Sequence, residues 1–161
     1  MSNHQAQIYW QRGDANFLDG RYSRRHELRF ASTVVAVGSA SSAVVPAAYC
    51  ELEAIDPEAA FVASLAGCHM LWFLSLAAAA GYVVDEYRDE AEGLLARKSG
   101  GELAMSVITL RPAVSFASHG APDRSTYLRL HENAHQSCFI ARSVRSDIVL
   151  APTFTVTCKT E

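Results

Sequence analysis

From Ala59 to Val84 the chain runs for 26 residues without an acid, a lysine or an arginine. His69 is the one histidine in that run, and Cys68 stands directly before it. So apolar a stretch has few fates. It crosses a bilayer, whose core takes about 20 helical residues, or it is a helix covered on every side by protein. Both flanks are acidic, with Asp56, Glu58, Asp85 and Glu86, so no Lys/Arg asymmetry sets an orientation in a membrane. Alanine fills much of the run, and the rest of the chain reads as strands that need packing partners. A buried core helix is therefore expected, not a span.

The helix carries start and stop signals. Asp56 can cap it, Pro57 suits the first helical position, and Glu58 favours the positive end of the dipole. Gly81 marks its end. Around it the pattern is strand-like. Gln5–Trp10 reads as a first strand and Glu27–Val37 as a second, with turn residues Gly13, Asp14, Asp19 and Gly20 between. Ala36–Tyr49 is rich in small residues and reads as a loop, or as a strand end followed by a loop. Tyr82–Phe116 reads as two long strands joined by the turn Lys98–Gly101. A second helix begins near Pro122 and runs to about Cys138, and a last strand is broken at Pro152. The order β-β-α-β-β-α-β predicts an α+β fold of antiparallel sheets wrapped around central helices.

With 161 residues, a single domain over 1–161 is expected. A net charge of −3 without a basic stripe gives no electrostatic reason to expect nucleic acid, so no such partner is expected. The opening MSNHQAQ is polar and lacks a secretory apolar core, so a cytoplasmic location is expected. In that setting Cys50, Cys68, Cys138 and Cys158 do not suggest a disulfide framework, and no CxxC pair exists.

A helix apolar all round needs cover beyond one sheet. Ala59, Ala60, Ala63, Ser64, Ala66 and Gly67 allow close approach of a second backbone, so a homodimer with this helix near the two-fold axis is expected. Glu58 and Cys68 are ten residues apart, about 15 Å along one helix, and cannot touch within a chain. Two such helices crossing antiparallel near Ala63 would bring Glu58 of one copy towards Cys68 of the other. On the second helix Tyr127, Leu130, His131, Ala134, His135 and Cys138 share an arc of about 140°. Two thiols from separate helices suit a peroxide cycle: a thiolate becomes a sulfenic acid, and a second thiol condenses with it. The first step needs a nearby cation. Arg12, Arg21, Arg24 and Arg25 cluster in the loop before the second strand.

The segment Asp56–Cys68, with its acid–proline–glutamate start and small-residue run to the cysteine, resembles the first helix of the OsmC/Ohr family. Asn133–Cys138 (NAHQSC) resembles the family's second cysteine segment, and the element order agrees along nearly the whole chain. The resemblance implies a thiol peroxidase working as an intertwined homodimer on organic hydroperoxides, with a dithiol reductant and no bound metal or organic cofactor. It implies Cys68 as the peroxidatic and Cys138 as the resolving cysteine. Glu58 would orient an active-site arginine, for which Arg21 and Arg24 both fit. Two positions depart from the family pattern: Phe139 follows Cys138 where proline is common, and His69 follows Cys68 where phenylalanine is common. The competing class is a non-enzymatic protein of the same fold that binds an apolar small molecule between subunits.

Other signals have plainer readings. His131–His135 (HENAH) matches HExxH, with Glu132 as the base of a metalloprotease, but only 26 residues follow to supply a third ligand. It reads first as an incidental surface motif; zinc held by His131, His135 and Cys138 is the sharper alternative and would block Cys138 as a resolving thiol. Trp72 and Phe73 read as core, or as the wall of a pocket for a bulky peroxide. Cys50, Cys158, His26 and His119 define no site. Asp85–Glu92 reads as a solvated strand face.

Overall fold

The computed structural model describes residues 2–30, 33–97, 100–117 and 120–154. Cys158, His119 and the first two residues of the Lys98–Gly101 turn lie outside them. The chain divides into two compact units, Met1–Ala60 and Phe61–Glu161.

The first unit is a three-stranded antiparallel meander of β1 (Ala6–Tyr9), β2 (His26–Phe30) and β3 (Val34–Gly38). Ile8 lies opposite Leu28, and Leu28 opposite Ala36. Sequence reading predicts one strand over Glu27–Val37; the chain makes two. Phe30 lies opposite Val34, so the two halves of the apolar run pair with each other antiparallel. The long β1–β2 connection is held by its aromatics: Trp10, Phe17 and Tyr22 have ring centroids 4.8 to 6.0 Å apart. The indole of Trp10 donates to the Ser23 carbonyl at 2.9 Å.

Helix α1 (Pro57–Ala79) begins as its sequence dictates. Asp56 accepts the Ala59 N–H at 2.7 Å, satisfying an otherwise orphaned donor. Its far end is a Schellman stop. Gly81 adopts φ +83, its N–H donates to Ala78, and the Tyr82 N–H reaches back to Ala77 at 2.9 Å. Leu65, His69, Phe73 and Ala77, spaced by four, form the buried stripe, whereas Leu71 is 64% exposed. By length and hydropathy α1 is the one candidate membrane span among the described residues, and only 22% of its most apolar 18-residue window is buried in this chain.

In the second unit, the two long strands of the sequence reading form a hairpin bent in the middle. β4 (Val84–Asp89) and β5 (Glu92–Arg97) make one arm; β6 (Leu103–Leu110) and β7 (Pro112–Phe116) make the other. β4 pairs with β7 and β5 with β6, so the arms stay together while changing sheet. The bend falls where Pro112 lacks an N–H. It is fastened by Asp89, which accepts the Arg111 N–H at 2.7 Å, and by the Arg111–Glu92 ion pair at 2.8 Å. Helix α2 (Arg124–Ser137) starts at Asp123, whose carboxylate accepts the Thr126 N–H and is thereby held below the ordinary range. β8 (Asp147–Leu150) then pairs parallel with β6. The pairs β1–β2, β2–β3, β4–β7 and β5–β6 are antiparallel as expected, whereas a strand returning after α2 enters β6's free edge in the same direction.

Two apolar clusters result. Phe73, Ala77, Val114, Phe116, Tyr127, Leu130 and Ala134 form one; Leu65, Ile108, Leu110 and Cys138 form the other. Gly93 admits the close approach of α1 to β5. A Cβ there would lie 2.6 Å from both the Val62 methyl and the Met105 sulfur. Gly93→Ala is therefore expected to cost about 1–3 kcal/mol, measured by urea unfolding.

Candidate active site

The two cysteines expected to cooperate meet in the second unit. Cys68 lies midway along α1, half-buried; Cys138 is the C-cap of α2 and fully buried. Cys68 packs into the cluster that contains Cys138. Burial is the main force pushing the Cys138 thiol up to about 11, and the neighbouring Cys68 thiol adds to this. The Ala141 N–H, 3.3 Å from the Cys138 sulfur, opposes the shift. At neutral pH Cys138 is therefore a thiol, with its S–H available to the Cys68 sulfur. Both cysteines are free, as is Cys50, whose sulfur sits 3.5 Å from the Val45 carbonyl.

Beside the thiols is a buried pair that the sequence did not pair. His69 Nε2 and His131 Nδ1 are 3.0 Å apart, and each residue is 1% exposed. The rings are parallel within 2° and their centroids are 5.3 Å apart. That separation equals the N···N distance plus a ring radius at each end, so the two nitrogens face each other along one line. This is an N–H···N hydrogen bond, which requires one nitrogen protonated and one bare. It is not the converging geometry of two ligands on a tetrahedral ion. Burial first, then the neighbouring imidazole (His135 for His69, His69 for His131), lowers His69 to about 4 and His131 to about 3. Phe73 stacks on His131 at 4.2 Å, and Tyr127 meets it edge-on at 4.6 Å.

The HExxH pattern is thus split between core and surface. His131 is bound to His69, while Glu132 is exposed and accepts from Gln136 at 2.9 Å. Among the described residues no three His, Cys, Asp or Glu side chains group as metal ligands would. Tyr87 and Asp89 on β4 face the same core. Burial raises both, and Tyr127 is pushed up to about 12 by burial and Asp89. Phe73 is core; Trp72 is half-buried and meets Phe139 edge-on at 5.6 Å.

Glu58, Arg21 and Arg24 belong to the first unit. Glu58 lies in the first turn of α1, with Oε2 buried and without a hydrogen-bond partner among the described residues. Arg24 is committed locally: it donates to the Gly20 carbonyl at 2.9 Å and to Tyr22, and lies 3.7 Å over the Tyr22 ring. The Arg21 side chain is exposed and makes no ion pair among the described residues. Neither arginine pairs with Glu58 within this chain. The same unit holds a mostly apolar cavity of about 470 Å³, walled by Ile8, Trp10, Phe17, Tyr22, Arg24 and His26, among others.

This α+β chain thus brings a half-buried cysteine of one helix and a buried cysteine of another into one apolar cluster. Comparison identifies the family. The family model described as OsmC-like protein matches residues 51–152. An OsmC-like protein of unknown function from Vibrio cholerae is 40% identical, with a TM-score of 0.92 over 95% of this chain and 100% of that one. The chain belongs to the OsmC-like family. Its fold is shared by an organic hydroperoxide resistance protein from Elizabethkingia anophelis (TM-score 0.68, 14% identity, 98% of each chain). It is shared also by the organic hydroperoxide resistance protein OhrB of Bacillus subtilis (TM-score 0.62, 15% identity, 94% of this chain and 98% of that one). No curated protein matches the sequence.

Proposed function

We propose that the protein is a cytoplasmic thiol peroxidase that reduces organic hydroperoxides at Cys68. The placement of Cys68 beside Cys138 in one apolar cluster carries this reading. The Cys68 thiolate attacks the terminal peroxide oxygen. The O–O bond breaks, the alcohol leaves with a proton, and Cys68 becomes a sulfenic acid. Cys138 then attacks that sulfur, an S–S bond forms, and the hydroxyl departs as water with the thiol's proton. A dithiol reductant restores both cysteines by exchange and is itself oxidised. Glu58 and the guanidinium of Arg21 or Arg24 hold Cys68 as thiolate, in a homodimer whose second copy covers α1. The extent of apolar α1 surface left bare in one chain supports the dimer.

Treatment with one equivalent of cumene hydroperoxide, followed by disulfide mapping by mass spectrometry, tests the cycle. A Cys68–Cys138 bridge is expected; free thiols at both positions would reject it. The aromatic cavity of the first unit favours a second reading, a non-enzymatic binder of apolar small molecules. Such a protein would show no dithiol-dependent turnover of the peroxide.

A further inference from the structure

Helices α1 and α2 meet in successive rungs. Cys68 faces Cys138, His69 faces His131, and Phe73 touches His131 and then Tyr127, whose ring centroid is 6.0 Å away. Numbers climb on one helix as they fall on the other, so the helices run antiparallel. Most of these rungs are undirected. Leu65, Phe73 and Ala77 make apolar contacts that tolerate small slides and rotations, and a thiol is a weak donor and weak acceptor. The His69–His131 bond is different. It joins two fully buried groups on one line, and any displacement that breaks it strands two polar atoms in the core.

We propose that this hydrogen bond fixes the register of α1 against α2 and so holds Cys138 where it can close a disulfide with Cys68. His69 and His131 are positioning residues: nothing places either on the peroxide. His69 is next to Cys68 in the chain. His131 is seven residues from Cys138, two turns of a helix whose end is pinned by the Cys138 N–H on the His135 carbonyl at 3.2 Å. The bond therefore transmits to both sulfurs through short, stiff lengths of helix. The inference rests on the proposed cycle, in which these thiols form a disulfide.

The test is a redox equilibrium that uses no peroxide. Full-length protein is equilibrated in glutathione buffers of graded potential, and the Cys68–Cys138 disulfide is quantified by mass spectrometry. His69→Leu with His131→Leu removes both partners and leaves no orphaned nitrogen. It is expected to lower the equilibrium constant for the disulfide about tenfold or more, through loss of alignment. His69→Gln with His131→Asn puts an amide near each bonded nitrogen and is expected to restore the constant to within about threefold of wild type. A folded leucine pair with the wild-type constant would overturn the inference and leave the peroxidase reading standing. Wild-type protein that forms no such disulfide would instead reject the peroxidase reading, and this inference with it. A measurement on the wild type alone covers the case of a leucine pair that does not fold. Nitrogen-15 NMR must show scalar coupling between His69 Nε2 and His131 Nδ1 across the bond, and its absence defeats the proposal.

Discussion

Cys68→Ser is expected to reduce dithiol-dependent turnover of cumene hydroperoxide by at least about a thousandfold, because a serine hydroxyl is not ionised at neutral pH and cannot take the peroxide oxygen. The fold should survive. Cys68 is half-buried, the exchange changes little volume, and a hydroxyl can still accept from the Cys138 thiol. Cys138→Ser should separate the two steps. One equivalent of peroxide is still consumed, the product stops at the Cys68 sulfenic acid, and a dimedone adduct at Cys68 reports it. Full turnover by Cys68→Ser protein would remove Cys68 from the mechanism. Failure of Cys138→Ser protein to accumulate the trapped acid would remove Cys138 as the resolving group.

The second large effect is on stability in acid. His69 and His131 are neutral in the folded core, at about 4 and about 3, against 6.5 when unfolded. A depressed folded value means that the unfolded chain binds protons first. Stability is therefore complete above pH 6.5 and is lost as pH falls towards 4. At about 1.4 kcal/mol per pH unit, the loss from His69 alone reaches about 3 kcal/mol by pH 4, and His131 adds to it. His135 acts on His69, Tyr127 and Tyr87 pack against His131, and Asp89 lies beside those two tyrosines. Asp89 is raised, so it acts in the opposite sense and offsets part of the loss near its own titration. Urea unfolding at pH 7.0 and 4.5 measures the slope, and His69→Leu with His131→Leu should flatten it. Equal slopes in wild type and variant would show that the pair is not the acid-sensitive element.

Much of this was legible because the signals are local. Asp56, Pro57 and Gly81 bound α1 within two residues of its observed ends, and Asp123 lies beside the expected start of α2. The helical arc through Tyr127, Leu130, His131, Ala134 and Cys138 is the buried face of α2. What escaped is non-local. His69 is the lone basic or acidic side chain in an apolar run, and burial obliges such a group to find a partner. That partner lies 62 residues away, and nothing in the intervening spacing points to it. In the sequence His131 belongs to an HExxH pattern, whereas the core uses its imidazole alone. The hairpin bend was written locally at Arg111–Pro112 but masked by apolar runs on both sides. The parallel docking of β8 depends on which edge of β6 stays free, and only the assembled sheet decides that.

The β8 strand also bears on how the chain is made. During synthesis β5 and β6 can zip together early, since they are neighbours in the chain, but β6 keeps one bare edge until β7, α2 and the turn after Cys138 have emerged. Through that interval its unpaired amides are open to a strand from another nascent copy. The cell must therefore carry this polypeptide past a window of mispairing that closes only when Asp147–Leu150 arrives.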